Sequence, residues 1–242
     1  MMKAVILAGG LGTRLRQAVP DIPKPMAPIA GRPFLAHQMD HWIRSGIDGF
    51  ILSVGYLHQA IIDYFGDNYR GVPVNYTVED TPLGTGGGLL LAMERLDDDE
   101  PFLLLNGDTY FDVEARKLLE FHTGKSSGIT FALFRAGEPE RFGGVRVDAD
   151  SRITELQSSK AGIGQLANGG IYVIDPKAIK EKYRANGNKI SFEDDILPGL
   201  FNAGTAFFGL ESHGSFVDIG VPKDYVAASS IMFQQSGGSE NV

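Results

Sequence analysis

The chain contains no cysteine, so neither a disulfide framework nor a thiolate metal site can be built from it, and nothing in it calls for an oxidising compartment. It has no apolar run of membrane-spanning length, because Val5 to Ala8 breaks at once into glycine. For the same reason its start does not read as a secretory signal. The cytoplasm is the expected compartment, with no membrane partner. Positive charge is also scarce: 22 Lys and Arg against 30 Asp and Glu leave a formal net charge of −8. A general nucleic-acid binder needs a basic face, so nucleic acid is excluded as a partner. A small phosphate ligand is not, since a few local cations and a divalent metal can hold one inside an acidic protein. The remainder is ordinary: 242 residues, 43% hydrophobic and 21% charged, suffice for one large α/β domain.

The most distinctive stretch is Lys3-Ala4-Val5-Ile6-Leu7-Ala8-Gly9-Gly10-Leu11-Gly12-Thr13-Arg14-Leu15, followed by Pro23-Lys24-Pro25. Val5, Ile6 and Leu7 read as a strand buried on both faces of a mostly parallel sheet. Glycines at its end let backbone N–H groups approach a ligand closely, and with Arg14 nearby such an array suits a polyphosphate. A dinucleotide fingerprint would need glycine where Leu15 stands, and a P-loop would need Gly-Lys-Ser/Thr in place of Thr13-Arg14-Leu15. Lys24 lies between two prolines, which presents a flexible cation from a stiff segment.

Further along, helical spacing marks Pro33 to Ser45, and strands are predicted at Phe50 to Val54, Val72 to Val78 and Phe102 to Leu105, with a short helix over Leu57 to Phe65. This alternation predicts a Rossmann-like, doubly wound α/β fold: a mostly parallel, mixed sheet with helices on both faces and ligands beyond the C-terminal strand ends. His37 and His41 stand at i and i+4, but without a Glu-x-x-His partner they read as surface or packing residues. Glu79 to Gly88 holds four glycines in five positions ahead of a helix expected over Leu89 to Arg95. That is a poor start for a helix unless something must come close to its backbone. Asn106-Gly107-Asp108 ends a central strand where the ligand crevice should open; taken alone, Asp108 could equally be a turn former or a cap for a helix starting near Val113.

Two motifs are decoys. Gly124-Lys125-Ser126 lacks the first P-loop glycine, which is Leu119 here, and Asp148-Ala149-Asp150 falls in a predicted surface turn. From Gly143 the pattern shortens into alternating strands, an expected antiparallel insertion over residues 143–174. Ser191 reads as the N-cap of a helix with Glu193, Asp194 and Asp195 in its first turn. Phe216 to Asp218 is a strand ending in an aspartate, and a helix is expected from Pro222 to about Phe233. Residues 1–233 are expected to form a single domain, and 234–242 a polar tail.

Gly-Gly-x-Gly-x-Arg-Leu followed by Pro-Lys-Pro resembles the signature of the sugar-1-phosphate nucleotidylyltransferases, and the similarity continues through Leu83-Gly84-Thr85-Gly86-Gly87, Asn106-Gly107-Asp108, Phe142-Gly143-Gly144-Val145 and Asn168-Gly169-Gly170-Ile171-Tyr172. That resemblance implies a transfer in which a sugar 1-phosphate oxygen attacks the α-phosphate of a nucleoside triphosphate and pyrophosphate leaves. It implies nucleotide contacts from Leu7, Ala8, Gly9, Gly10, Gly12, Thr13 and Arg14, with Gly84 and Thr85 against the base and Glu79 beside them. It further implies that Arg14 counters the pyrophosphate charge, that Lys24 draws the reacting phosphates together, and that Asp108 and Asp218 hold Mg2+. Asn106, Gly144, Asn168 and Gly169 are implied contacts of the sugar phosphate. The form of the base segment, Asp21-Ile22-Pro23-Lys24-Pro25-Met26-Ala27-Pro28 and the compact length are most similar to members that guanylylate a heptose 1-phosphate, which implies GTP as donor. Other hexose 1-phosphates and bases, and a non-catalytic regulatory homologue, are the rival readings; a homodimer is an open expectation.

One departure stands out. Many members carry a Glu-Lys pair after an aromatic residue, the glutamate for sugar hydroxyls and the lysine for phosphate; here Leu156-Gln157-Ser158-Ser159 occupies that stretch, flanked by Glu155 and Lys160.

Overall fold

Alternation within single strands fixes the architecture. In β1 (Lys3–Leu7) Ala4 and Ile6 point to one face of the sheet and Val5 to the other, all fully buried, so helices must cover both sides. The computed structural model describes residues 2–10, 12, 22–97, 99–138 and 141–233, with the backbone alone over 157–160. Thr13, Arg14 and the tail at 234–242 therefore lie outside the described residues.

A single 3-10 turn, Lys24–Met26, leads into the short pair β2 (Pro28–Ile29) and β3 (Arg32–Pro33) and then α1 (Phe34–Arg44). β4 (Gly49–Val54), α2 (His58–Phe65), β5 (Asn68–Tyr69), β6 (Val72–Val78), α3 (Gly84–Met93) and β7 (Phe102–Asn106) complete the first half. The second half runs β8 (Thr109–Phe111), α4 (Ala115–Gly124), β9 (Ile129–Arg135), β10 (Gly143–Val147), β11 (Ile153–Lys160), β12 (Leu166–Ile174) and α5 (Pro176–Lys180). A π-helical turn at Phe192–Ile196 then passes into α6 (Leu197–Asn202), followed by β13 (Phe207–Glu211), β14 (Phe216–Asp218) and α7 (Pro222–Phe233).

Strand order is β11-β10-β12-β7-β1-β4-β6-β5, with β9 on β12 and β13 on β9. β7, β1, β4 and β6 are parallel, and β12 runs antiparallel to both β7 and β9. This is the expected doubly wound, mixed α/β sheet. Leu35, Met39 and Trp42 of α1, Ile61 of α2 and Leu118 of α4 pack on one face; Leu89 of α3, Ile179 of α5 and Leu200 of α6 pack on the other. Of the three strands expected as an antiparallel insertion, β12 lies inside the main sheet. Its register shifts between Asn168 and Tyr172, and its first residues there turn to meet β10 at Gly144. This bend raises β10 and β11 as a wall above the end of β7.

Two local expectations change. The glycine-rich stretch is not a loop ahead of the helix but its first turn, since α3 begins at Gly84. Asp108 does not cap a helix: it precedes β8, whose existence sequence periodicity did not reveal, and α4 begins only at Ala115. His37 and His41 are packing residues. Both are buried, their Nε2 atoms hydrogen-bonding the carbonyls of Ile29 at 2.8 Å and Val113 at 3.1 Å. Among the described residues no helix is long and apolar enough to cross a membrane.

Candidate active site

The C-terminal ends of β1, β6 and β7 open onto a cleft of about 360 Å³, where the parallel topology places ligands. Leu7, Ala8, Gly9 and Gly10 form its floor, Glu79, Gly84 and Thr85 one side, and Lys24, Asn106 and Asp108 the other. Gly12 rests against the Lys24 side chain. Behind the cleft lies a second cavity of about 490 Å³ lined by Gly144, Asn168, Gly169 and Asp218. Asn106 and Asp108 line both, which makes them the junction between the two spaces.

At that junction three charged groups converge from three elements. Lys24 is largely buried and donates from Nζ to Asp108 Oδ2, so it is not the free cation that its flanking prolines suggested. Asp108 Oδ1 also accepts from Thr109 Oγ1 at 3.3 Å. Asp218 Oδ1 accepts from the Gly220 N–H at 2.6 Å. Burial, and then the like charge of Asp108, push the Asp218 carboxyl above the usual carboxylate range, while Lys24 pulls the other way. The antiparallel ladder of β8 and β14 brings the two aspartates together. Asn106, which lines both cavities, contributes a buried Oδ1 with no hydrogen-bond partner.

Several expected contacts are already committed within the protein. Glu79 accepts from Leu83 N–H at 2.8 Å and from Ser53 Oγ at 3.3 Å, which ties the end of β6 to the start of α3. Thr85 Oγ1 donates to Glu193 Oε2 at 2.6 Å and accepts from Phe192 N–H at 2.9 Å. Gly84 has φ +75°, and a Cβ there would sit 2.7 Å from the Ile190 carbonyl oxygen. Its lack of a side chain is thus required by the chain itself. Asn168 donates from Nδ2 to Tyr172 Oη at 2.6 Å and accepts on Oδ1 from Gly170 N–H at 3.0 Å, bracing the bend of β12.

The flanks of the missing Glu-Lys pair divide. Glu155 is exposed and pairs with Arg146 across the β10–β11 ladder at 3.4 Å, so it does not enter the cavity from a shifted position. Lys160 belongs to the stretch whose side chains lie outside the description. Sequence reading missed Lys189, which lines the nucleotide-side cleft, and Glu193, which lines the second cavity. Nothing in their spacing marks them, since Glu193 looks like an ordinary first-turn acid.

The nucleotidyl transferase family model matches residues 3–235. The chain belongs to the nucleotidyl transferase family. Among curated relatives of this nucleotidyl transferase, the D-glycero-alpha-D-manno-heptose 1-phosphate guanylyltransferase of Aneurinibacillus thermoaerophilus is 42% identical over 93% of the chain and 95% of that protein. The enzyme of the same name from Campylobacter jejuni is 35% identical over 93% and 97%. The crystal structure of HddC from Yersinia pseudotuberculosis complexed with GMP-PN superposes with a TM-score of 0.82 at 34% identity, covering 95% of this chain and 99% of that one.

Proposed function

We propose that this protein transfers a guanylyl group from GTP to D-glycero-α-D-manno-heptose 1-phosphate, releasing pyrophosphate and forming a GDP-heptose for surface polysaccharide, with residues 1–233 acting as one catalytic unit. The observation that carries this reading is the convergence of Lys24, Asp108 and Asp218 between two cavities, one at the glycine-rich strand end and one behind it. The names of the heptose guanylyltransferases and the GMP-PN complex support the choice of base and sugar.

The donor set fits Mg2+. Asp108 and Asp218 are hard oxygen donors whose mutual repulsion a cation relieves. Among the described residues no group of three His, Asp or Glu gathers, and magnesium needs only one or two protein carboxylates because phosphate oxygens and water complete its shell. When bound, the ion supplies charge neutralisation to phosphate oxygens.

The remaining work is positional. An oxygen of the sugar 1-phosphate forms a bond to the α-phosphorus while the bond from that phosphorus to the bridging oxygen of the leaving pyrophosphate breaks. The attacking oxygen is already ionised, so no general base is required. The backbone from Gly9 to Gly12, and Thr13 and Arg14 beyond the described residues, hold the triphosphate. Lys24 exchanges its contact with Asp108 for the reacting phosphates, placing a positive charge where negative charge builds up. The Asn106 amide N–H at the junction donates to an oxygen of the sugar phosphate. A panel of sugar 1-phosphates crossed with GTP, ATP, UTP, CTP and thymidine triphosphate, read by pyrophosphate release, tests this. Turnover with GTP and the heptose 1-phosphate above all other pairs is the expected result.

A further inference from the structure

The Thr85–Glu193 hydrogen bond joins the start of α3, on the nucleotide-side cleft, to a residue that lines the second cavity. Thr85 gives its only proton to Glu193 and takes one from Phe192, so its hydroxyl is occupied within the protein. Among the other polar side chains of the second cavity, the Asn106 Oδ1 is unpartnered but buried, whereas the remainder are committed. Asn168 is held at both ends, Thr109 donates to Asp108, and Asp194 accepts from its own cap, Ser191 Oγ, at 3.1 Å. Asp108 and Asp218 belong to the cation site. Glu193 has no ion pair among the described residues, and burial, ahead of the like charges of Asp194 and Asp108, pushes its carboxyl up.

A partly buried carboxylate without a cation repels a phosphate and favours neutral hydroxyl donors. We propose that Glu193 accepts hydrogen bonds from the sugar hydroxyls, doing from the turn after Ser191 what no glutamate of the Leu156 to Ser159 stretch can do, and that Thr85 is its positioning residue rather than a reader of the base. This rests on the sugar 1-phosphate reading above and adds which group selects the sugar. The sugar's anionic end then lies toward Lys24 and its polyol end toward Glu193.

The unmutated enzyme is first assayed on the panel, and all variants are then compared on the pair it turns over fastest. Failure of the unmutated enzyme on every pair overturns the proposed function, and this assignment with it. Given activity, Glu193→Gln raises the KM for the sugar 1-phosphate roughly tenfold to hundredfold and leaves the nucleotide KM within about twofold. It also narrows the ratio of kcat/KM between the sugar and its deoxy analogues. Thr85→Val shifts the same constant in the same direction, and Thr85→Ser restores it. An unchanged sugar KM in Glu193→Gln, or a rise confined to the nucleotide KM in Thr85→Val, overturns the assignment and leaves the nucleotidyl transfer standing. The Thr85→Val and Thr85→Ser pair carries the test if Glu193→Gln does not fold.

Discussion

Thr109 stands opposite Asp218 in the ladder of β8 and β14, and the Ile219 N–H donates to the Asp108 carbonyl at 3.0 Å. Two strands of three residues thereby hold together carboxylates that lie far apart in the sequence. Backbone hydrogen bonds, backed by the packing of Tyr110 with Val217 and Ile219, set their spacing.

Substitutions on that ladder should separate chemistry from stability. Asp218→Asn keeps the acceptor for the Gly220 N–H and removes a desolvated charge facing Asp108. The expected outcome is a fall in turnover of about a hundredfold or more, partly recovered by excess magnesium, with a melting temperature equal to or above that of the parent. A lower melting temperature together with unchanged magnesium dependence would reassign Asp218 to the scaffold.

Lys24→Met retains the aliphatic stem against Gly12 and deletes the ammonium. Loss of a charge contact made in the transition state should cost on the order of 3 kcal/mol in activation free energy. The effect should appear in kcat, measured by pyrophosphate release under saturating substrates. A variant with full turnover refutes the role of Lys24.

Gly84 serves the chain before it serves a ligand. With φ at +75° and the Ile190 carbonyl 2.7 Å from the position of a Cβ, Gly84→Ala is expected to destabilise the fold by on the order of 2 kcal/mol as well as weaken nucleotide binding. Urea unfolding reads the first effect and nucleotide KM the second. Lost binding at unchanged stability would show that only the ligand requires glycine here.

Base preference follows from unmatched groups. A site that pairs with the guanine edge leaves buried donors or acceptors open when another base enters, at roughly 1–3 kcal/mol each. GTP is therefore expected to exceed ATP and UTP in kcat/KM by at least about tenfold. Comparable rates with UTP would remove guanylyl transfer and keep the family.

Acid should unfold the protein in part through His122. Burial lowers its pKa from 6.5 to about 4, and its ring bonds Thr130 Oγ1 at 3.0 Å. As the pH falls, the unfolded histidine takes up its proton first, so stability present in full above about pH 6.5 is lost between there and pH 4. The loss at pH 5 is about 2 kcal/mol. Glu193 and Asp218, whose carboxyls are pushed up, act in the opposite sense, so the comparison that isolates His122 is with His122→Gln. Its stability difference between pH 7.5 and pH 5, from urea midpoints, is expected to shrink by about that amount.

The strands and helices of the two-sided sheet were legible because apolar runs such as Val5 to Leu7 and spaced residues such as Phe34, Met39 and Trp42 report burial directly. The charged residues that meet at the junction were legible through motif. What escaped depends on partners distant in the chain. Gly84 to Gly88 are poor helix formers, yet α3 starts there because the Ile190 carbonyl accepts from the N–H groups of Gly86 and Gly87 at 2.9 and 3.2 Å. β8 is too short to show a period and exists through β14. Thr85, Glu79 and Asn168 kept their places at the cavities, but their hydrogen bonds to Glu193, Leu83 and Tyr172 turn inward, a distinction no spacing encodes.

The knot at Ile190 also has a consequence in time. The first turn of α3 finds its acceptor only when a segment made much later in synthesis has docked, for Ile190 N–H also donates to the Leu83 carbonyl at 2.9 Å. A ribosome-bound chain that has not yet exposed Ile190 therefore lacks the acceptor that holds Gly86 and Gly87 at the start of α3. The wall of the cleft at Gly84 to Gly87 is thus completed only once Ile190 is in place.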